Sequence, residues 1–288
     1  MFKPGVGLLL FKLSHGLRLP AVLCGLLLWC APVYAAQPVS IVLGGSTTLV
    51  PLAQLLAEGF MRQSRGSLVT VIGGGSALGL EALVAGEVDI ANSSRFIRPA
   101  ELQAANAAGV YPVPFRIADD CIVPVVHKSN PVRNLTLDQL RSIYSGKVTN
   151  WNQLGGIDRR INVLAWGEES GTFRVWRDLV MRGEAVAASI NRLESSADVV
   201  RKVNRGRGAI GFISLGQLSA AVKPLRVNGV MGSPHSARSG SYALSRSLYM
   251  FTRGWPRGRT LQFINYALNP QWGQRLVEKS GFIPLYPQ

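Results

Sequence analysis

The chain has 288 residues, and its 31 Lys and Arg against 16 Asp and Glu give a formal net charge of +15 at pH 7. So basic a chain suits anionic partners, of which nucleic acid is the first to consider. The sequence argues against nucleic acid because it opens with an export signal and because no predicted helix has a continuous basic face. The length is sufficient for two α/β lobes, each with its own core.

The chain opens with the features of a cleavable export signal. Lys3, Lys12 and Arg18 form a basic head, and residues 21–29 are an apolar segment too short to span a membrane stably. Small residues stand at the positions that favour cleavage after Ala35. We therefore expect a signal peptide over 1–35 and a periplasmic mature chain, with further secretion left open.

The mature chain begins with a strand, a glycine turn and a helix. Residues 39–43 are apolar and predict a buried strand, Gly44-Gly45-Ser46-Thr47-Thr48 follows, and apolar residues then recur at helical spacing as far as Arg62. A helix start offers free N–H groups and a partial positive charge, so hydroxyl groups beside it form a receptor for a small anion. The alternative is an ordinary capped turn.

The same order of strand, glycine, hydroxyl and helix occurs twice more. Residues 68–72 lead into Gly73-Gly74-Gly75-Ser76, and residues 161–165 lead into Gly167-Glu168-Glu169-Ser170-Gly171-Thr172. Neither early glycine turn has the lysine of a P-loop or the full spacing of a dinucleotide fingerprint. Three such starts in one basic, exported chain favour convergence on one tetrahedral oxyanion, although three unrelated caps remain the alternative.

The other predicted elements place the lobes and one more polar turn. Residues 88–91 read as a strand that ends at Asn92-Ser93-Ser94-Arg95, and the carboxyl ends of strands are where α/β sheets bind ligands. Two strands at 110–117 and 121–127 are joined by 118–120, where we expect the first crossing between lobes. The remaining expectations are a helix after Thr136, a strand at 208–214, a polar connector for the return crossing at 234–241, a strand at 248–252, and helices at 260–268 and 270–280.

Catalytic and metal-binding residues are sparse. His127 and His235 have no partner at catalytic or ligand spacing, and Cys121 reads as an inert strand residue with no second cysteine for a disulfide in the mature chain. Glu168-Glu169 could serve as acid and base, but such a pair is more often solvated or accepts a hydrogen bond from a ligand. We therefore expect neither an enzyme nor a metal or cofactor.

The mature chain resembles the PstS-type phosphate-binding proteins of bacterial phosphate ABC importers. The segments that carry the resemblance are 129–136 (Ser-Asn-Pro-Val-Arg-Asn-Leu-Thr), 143–151 (Ile-Tyr-Ser-Gly-Lys-Val-Thr-Asn-Trp), 170–172, 208–212 and 281–285. The resemblance implies an α/β, two-lobed type II periplasmic-binding-protein fold with two hinge crossings. It also implies that the protein is a monomer that delivers phosphate to an inner-membrane ABC permease. It places lobe 1 at 36–117 plus 242–288 and lobe 2 at 118–241.

The resemblance also implies a set of phosphate contacts. These are the Thr47 hydroxyl, the Thr48 N–H, Ser76, Ser170, Gly171 and Thr172, with Ser94 at a further ligand position and with Ser46 and Glu169 as possible additions. Two positions depart from the family, which commonly has Asp where this chain has Ser94 and Arg where it has Trp166. The missing cation could be Arg95 or Arg174; alternatively, Arg95 is a surface residue and Arg174 lies on a helix face.

The sequence thus leads to one hypothesis with two alternatives. The hypothesis is a receptor that closes two lobes around inorganic phosphate. Ser94 and Trp166 leave open a receptor for another tetrahedral oxyanion, such as sulfate. The high basic charge leaves open an envelope sensor or interaction protein that kept the fold without serving uptake.

Overall fold

The structure, a computed structural model, describes residues 39–286, so the predicted export signal lies outside the described residues. Within this range the chain forms eleven strands and nine α-helices. The strands are β1 (Val39–Gly45), β2 (Ser67–Ile72), β3 (Ile90–Ser93), β4 (Pro112–Val126), β5 (Asn134–Leu135), β6 (Asn162–Trp166), β7 (Asn191–Leu193), β8 (Ala209–Ser214), β9 (Lys223–Pro224), β10 (Arg226–Val227) and β11 (Ser245–Arg253). The helices are α1 (Val50–Gln63), α2 (Ser76–Ala85), α3 (Pro99–Ala107), α4 (Leu137–Tyr144), α5 (Gly171–Trp176), α6 (Ser196–Arg205), α7 (Pro234–Arg238), α8 (Gly258–Leu268) and α9 (Gly273–Lys279).

Nine of these strands form one sheet in the order β2-β1-β3-β11-β4-β8-β6-β7, with β9 also paired to β4. Parallel strands lie towards both ends of this order: β1 pairs with β2 and β3, and β6 pairs with β7 and β8. The antiparallel pair β11 and β4 lies between them. Parallel strands joined by helices place their carboxyl ends, and the polar turns that follow, at one edge of a sheet.

The apolar core is divided in the same way. One buried cluster draws almost entirely on residues 121–244, with Trp176 stacked on Phe212 at a ring-centroid distance of 4.0 Å. Two further clusters draw on residues 41–118 and 248–282. Strand β4 runs from one set of clusters to the other, and β11 begins directly after Leu244 of the first cluster, so two α/β halves are joined through these two strands.

The predicted break at 118–120 was wrong, because β4 runs without interruption from Pro112 to Val126. The acidic residues stay in the strand because each has donors. Asp119 accepts from the Ser247 hydroxyl at 2.8 Å, and Asp120 is fully buried but ion-paired with Arg246. The predicted polar connector at 234–241 contains α7, whose first turn is capped by Ser233. The error at 118–120 arose from reading polar residues as a junction when tertiary partners hold them in regular structure.

Candidate anion-binding site

The first wall of the site is the turn between β1 and α1. Gly45 has φ of +124°, a conformation that favours glycine, and the chain turns there away from the sheet. The Ser46 N–H donates to the Asn92 carbonyl at 2.8 Å, which fixes the turn on the end of β3. Thr47 is half-buried and Thr48 is buried, and Pro51 lies in the first turn of α1, where its missing N–H costs nothing.

The second wall is the start of α2. Ser76 is the first residue of this helix and is fully buried, and its hydroxyl accepts from the Ser94 N–H at 3.1 Å. The Ser76 and Ser94 hydroxyl oxygens lie 3.3 Å apart. Gly75 has φ of +119°, and a Cβ there would lie 2.7 Å from the Glu169 carbonyl. Glycine is therefore needed at this position both for the turn and for the close approach of the segment before α5.

The third wall is the start of α5. Ser170 caps the helix by accepting from the Phe173 N–H at 3.3 Å, and Thr172 in the first turn is fully buried. A Cβ on Gly171 would lie 2.3 Å from the Ser76 hydroxyl and 2.5 Å from the Ser94 hydroxyl. The two halves of the molecule thus touch at this glycine, and no larger residue fits without displacing them.

These three starts and the end of β3 bring hydroxyl groups together from separate parts of the chain. The Thr48 and Thr172 hydroxyl oxygens are 3.0 Å apart, although 124 positions separate the residues in sequence. We call this set the hydroxyl cluster, and its members are Thr48, Ser76, Ser94 and Thr172, all buried, with Gly171 packed among them. A hydroxyl can both donate and accept, so these side chains can pair with one another in the empty site and donate to an anion when it binds. Because they are neutral, the empty site contains no unpaired charge from them.

A buried arginine that sequence reasoning missed completes the cluster. Arg246 on β11 donates through Nη1 to the Thr172 hydroxyl at 2.8 Å and to the Ser94 carbonyl at 3.4 Å. Its Nε and Nη2 donate to one oxygen of Asp120 at 3.0 and 2.8 Å. The other Asp120 oxygen accepts from the Ser214 hydroxyl at 2.8 Å and from the Leu215 N–H at 3.0 Å. Asp120 therefore holds one edge of the guanidinium and leaves the Nη1 corner facing the hydroxyls.

The two arginines proposed from sequence lie elsewhere. The Arg95 Nη1 donates to Glu101 at 2.7 Å and to the Phe96 carbonyl at 2.9 Å, so its head is occupied within its own segment. Burial of Glu101 favours the neutral acid, but hydrogen bonds from Arg95 and the Arg98 N–H outweigh it and hold the pKa of Glu101 below its ordinary value. Arg174 is half-buried on α5, where burial and the nearby Arg98 and Arg177 lower its pKa.

A cavity of about 430 Å³ lies beside the hydroxyl cluster. It is lined by Thr47, Gly74, Gly75, Leu78, Trp166, Gly167, Glu169, Ser170, Leu193 and Glu194. Trp166 is buried and its indole N–H donates to the Phe212 carbonyl at 2.9 Å, so it belongs to the core of its half. The Glu169 side chain is exposed, and the backbone carbonyl of this residue accepts from the Ala77 N–H at 3.4 Å.

Asp120, the carboxylate that holds Arg246, has no unpaired oxygen to offer the hydroxyl cluster, whereas the exposed Glu169 lines the adjoining cavity. Asp120 has two donors on each oxygen. The Glu168 side chain is about half-exposed, and its carboxylate forms ion pairs with Arg177 and Arg192 at 3.0 and 3.1 Å. The cluster thus presents hydroxyls, backbone groups and one guanidinium, a set suited to a small oxyanion.

Other chemistry has little support within residues 39–286. No group of three or more His, Cys, Asp or Glu side chains in that range could hold a metal ion. Burial, together with the charge of Asp120, raises the pKa of the Cys121 thiol to about 12, so this thiol is inert at neutral pH. None of the helices in the same range is both long and apolar enough to cross a membrane.

Comparison with known proteins identifies the class. A family described as "PBP superfamily domain" matches residues 32–271. Protein SphX of Synechococcus elongatus is 30% identical over 87% of this chain and 79% of its own length, and the phosphate-binding protein PstS of Bacillus subtilis is 28% identical over 85% and 81%.

Two solved structures are similar to this chain over the same share of its length. A putative phosphate ABC transporter substrate-binding protein from Clostridium perfringens, with bound phosphate, has a TM-score of 0.80 at 29% identity over 86% of this chain and 100% of its own. An ABC-type phosphate transport receptor from Vibrio cholerae has a TM-score of 0.72 at 30% identity over the same shares. The α/β fold with two lobes and two hinge crossings, a type II periplasmic-binding-protein fold, is thereby confirmed.

The fold and the site define the class as a solute-binding protein. The resemblance stated from sequence is confirmed, and the chain belongs to the PBP superfamily and, within it, to the PstS-type family of phosphate-binding proteins.

Proposed function

We propose that this protein captures inorganic phosphate between its two lobes and delivers it to an inner-membrane ABC permease. The observation that carries the proposal is the convergence of Thr48, Ser76, Ser94 and Thr172 with the Nη1 corner of Arg246. The relatives named PstS and the phosphate-bound neighbour support phosphate as the ligand. Capture and release need no covalent step, so we propose a binding protein and not an enzyme.

The proposed ligand contacts come from both lobes. Hydroxyl and backbone N–H groups of the three helix starts donate to the phosphate oxygens, and Arg246 supplies a positive charge whose position Asp120 fixes. Thr47 and Ser170 line the adjoining cavity and complete the set from the open side. Arg95 is left out, because Glu101 and the Phe96 carbonyl occupy its head.

We propose lobe 1 at 36–117 plus 242–288 and lobe 2 at 118–241, hinged through β4 and β11. The separate apolar clusters support this division. Contacts between Thr48 and Thr172, and between Gly171 and Ser76, join the two lobes and correspond to a closed state. Because the ligand contacts groups from both lobes, its binding favours closure.

The predicted export signal supports a periplasmic location, where a receptor that serves an inner-membrane permease must work. The basic charge supports the same proposal, since a positive receptor concentrates anions around its cleft.

Calorimetric titration of the mature chain with phosphate tests the proposal. We expect one site with sub-millimolar or tighter affinity, and at least a tenfold loss in a Thr172→Val variant, which removes the hydroxyl that links both lobes. The absence of heat and of a thermal-stability increase with phosphate, sulfate and molybdate alike would end the transport proposal.

A second candidate is a receptor that takes other tetrahedral oxyanions as well. The observation in its favour is that Ser94, a neutral residue, stands in the cluster, while every Asp120 oxygen is already paired. A free carboxylate in the hydroxyl cluster would repel fully ionised sulfate while accepting the proton of hydrogen phosphate. With Ser94 at that position, discrimination against sulfate is weaker. Competition between sulfate and labelled phosphate at near-equal concentrations decides between the two candidates.

A further inference from the structure

Asn92 is a buried polar side chain without a hydrogen-bond partner. Its relative exposure is 0%, and neither its amide nitrogen nor its amide oxygen has a partner among the described residues. Gln274, also fully buried, shows the usual pattern: its amide donates to two carbonyls and its oxygen accepts from the Leu285 N–H. Buried amides are nearly always paired, so Asn92 points to a partner that binds from outside the chain.

The backbone of β3 places Asn92 directly behind the hydroxyl cluster. Asn92 pairs with Gly45 of β1 on one side and with Met250 of β11 on the other. Its carbonyl accepts from the Ser46 N–H, which lies in the turn that enters α1. Two residues further on, Ser94 joins the cluster.

Alternation along β3 sets the direction of the side chain. Ile90 packs in the cluster that includes Leu49 and Leu52 around the start of α1, whereas Ala91 packs in the opposite cluster with α2. Side chains alternate along a strand, so Asn92 shares the face of Ile90 and lies one step nearer to the carboxyl end. That position is below the start of α1, where an anion held by Thr48 would bind.

We propose that Asn92 is a further anion-binding residue: its amide N–H donates to the captured phosphate, either directly or through one water that the phosphate orders. This proposal rests on the proposed function of the site. An amide is a neutral donor, so it stabilises an anion while adding no charge that must be buried in the empty receptor. The role also explains why a polar residue follows Ile90 on the same face of the strand and pairs with Met250 of β11.

The test is a pair of substitutions read by both affinity and thermal unfolding. In Asn92→Leu, which keeps the volume and removes the donor, phosphate affinity should fall by about tenfold to a hundredfold, the effect expected for a hydrogen bond to a charged group. The unfolding temperature of the ligand-free protein should stay the same or rise, because an unpaired buried amide has been removed. Asn92→Asp replaces the donor with a negative charge and should lose more affinity than Asn92→Leu.

Asn130 provides the matched control. It is also buried with an unpartnered amide nitrogen, but its oxygen accepts from the Val132 N–H in the turn after β4. Asn130→Leu should therefore lower the unfolding temperature and leave the phosphate affinity at the wild-type value. A structural role for Asn92 would give the same result as this control and would overturn the proposal.

A second measurement keeps the proposal testable if the variants do not fold. In ¹⁵N-labelled wild-type protein, the side-chain amide signal of Asn92 should shift when phosphate is added, and that of Asn130 should not. An unmoved Asn92 signal in protein that binds phosphate overturns this proposal alone. Wild-type protein that binds no phosphate overturns the proposed function, and this proposal with it.

Discussion

Two buried arginines, Arg95 and Arg246, lie close to Ser94, yet only one of them contacts the hydroxyl cluster. Their exposures are nearly equal, 7% and 8%, and each is ion-paired with a carboxylate. Arg95 follows Ser94 directly in sequence, but Glu101 meets the end of its guanidinium and occupies both terminal nitrogens. Asp120 instead meets Arg246 through Nε and Nη2, which leaves Nη1 directed at Thr172.

The position of the carboxylate therefore decides whether the arginine can contact a ligand. A carboxylate that pairs with Nε and one terminal nitrogen orients the guanidinium and leaves the other terminal nitrogen for a ligand. A carboxylate that pairs with both terminal nitrogens leaves neither for a ligand. Sequence distance is a poor guide here, because Arg246 is 152 positions from Ser94 and Arg95 is its neighbour.

Removal of each arginine in turn separates their roles. Arg246→Met should lower phosphate affinity by about a hundredfold or more, since a charge-assisted contact is lost and Asp120 is left as an unpaired negative charge beside the anion. Calorimetric titration measures the affinity. The matched Arg95→Met breaks a mostly buried ion pair, so it should destabilise the fold and leave affinity within about threefold of wild type.

Stability and binding can be separated at the Arg246 position. The single substitution leaves a buried carboxylate unpaired, a change that costs about 3–5 kcal/mol of folding free energy. Adding Asp120→Asn should recover much of the unfolding temperature without recovering affinity. Recovery of both would mean that Arg246 acts only through stability.

Gly171 tests whether the two lobes must touch for binding. In Gly171→Ala the new Cβ would meet the Ser76 and Ser94 hydroxyls well inside contact distance, so closure is blocked and affinity should fall about tenfold to a hundredfold. Gly73→Ala is the control, because its Cβ would lie at ordinary distances of 3.5 and 3.6 Å from Thr47 and Val50. Equal losses in both variants would show that the glycines matter for turn formation and not for contact.

Ser94 tests the preference among oxyanions. Ser94→Asp places a carboxylate in the cluster, which should weaken sulfate binding at least tenfold more than phosphate binding because only phosphate can offer a proton. Competition titrations of the wild type and the variant measure the ratio. A ratio that does not change would place the bound anion away from Ser94.

The smallest expected effect concerns Glu101, the partner of Arg95. Its pKa is lowered in the folded protein, so it contributes stability above its unfolded pKa, and this contribution is lost as the pH falls through the folded value. Glu101→Gln should therefore flatten the acid limb of the unfolding-temperature curve between these two values. Phosphate affinity at neutral pH should be unchanged in Glu101→Gln, whereas a substitution of Asp120 should alter it.

Much of the fold could be predicted from sequence because its signals are local. Apolar runs followed by glycine and hydroxyl residues indicated the starts of α1, α2 and α5, and the structure brings all three together. The unbroken β4 could not be predicted, since residues far along the chain make its acids acceptable within a strand: Ser247 donates to Asp119, and Arg246 and Ser214 donate to Asp120.

The parts of the site that sequence missed depend on long-range pairing. Arg246 precedes the apolar run 248–252 within β11 and has no local feature that marks it, and its partner Asp120 is 126 positions away. Asn92 stood within a polar turn that the sequence did single out, but its burial becomes visible only when β1 and β11 are placed on either side of β3.

A crystal structure of the mature protein grown with phosphate tests the proposed binding site most directly. We expect one phosphate enclosed between the lobes, with oxygens within hydrogen-bond distance of Ser76, Thr172 and the Nη1 atom of Arg246. Phosphate bound at another surface, with the hydroxyl cluster closed on itself and Arg246 turned away from the anion, would contradict it.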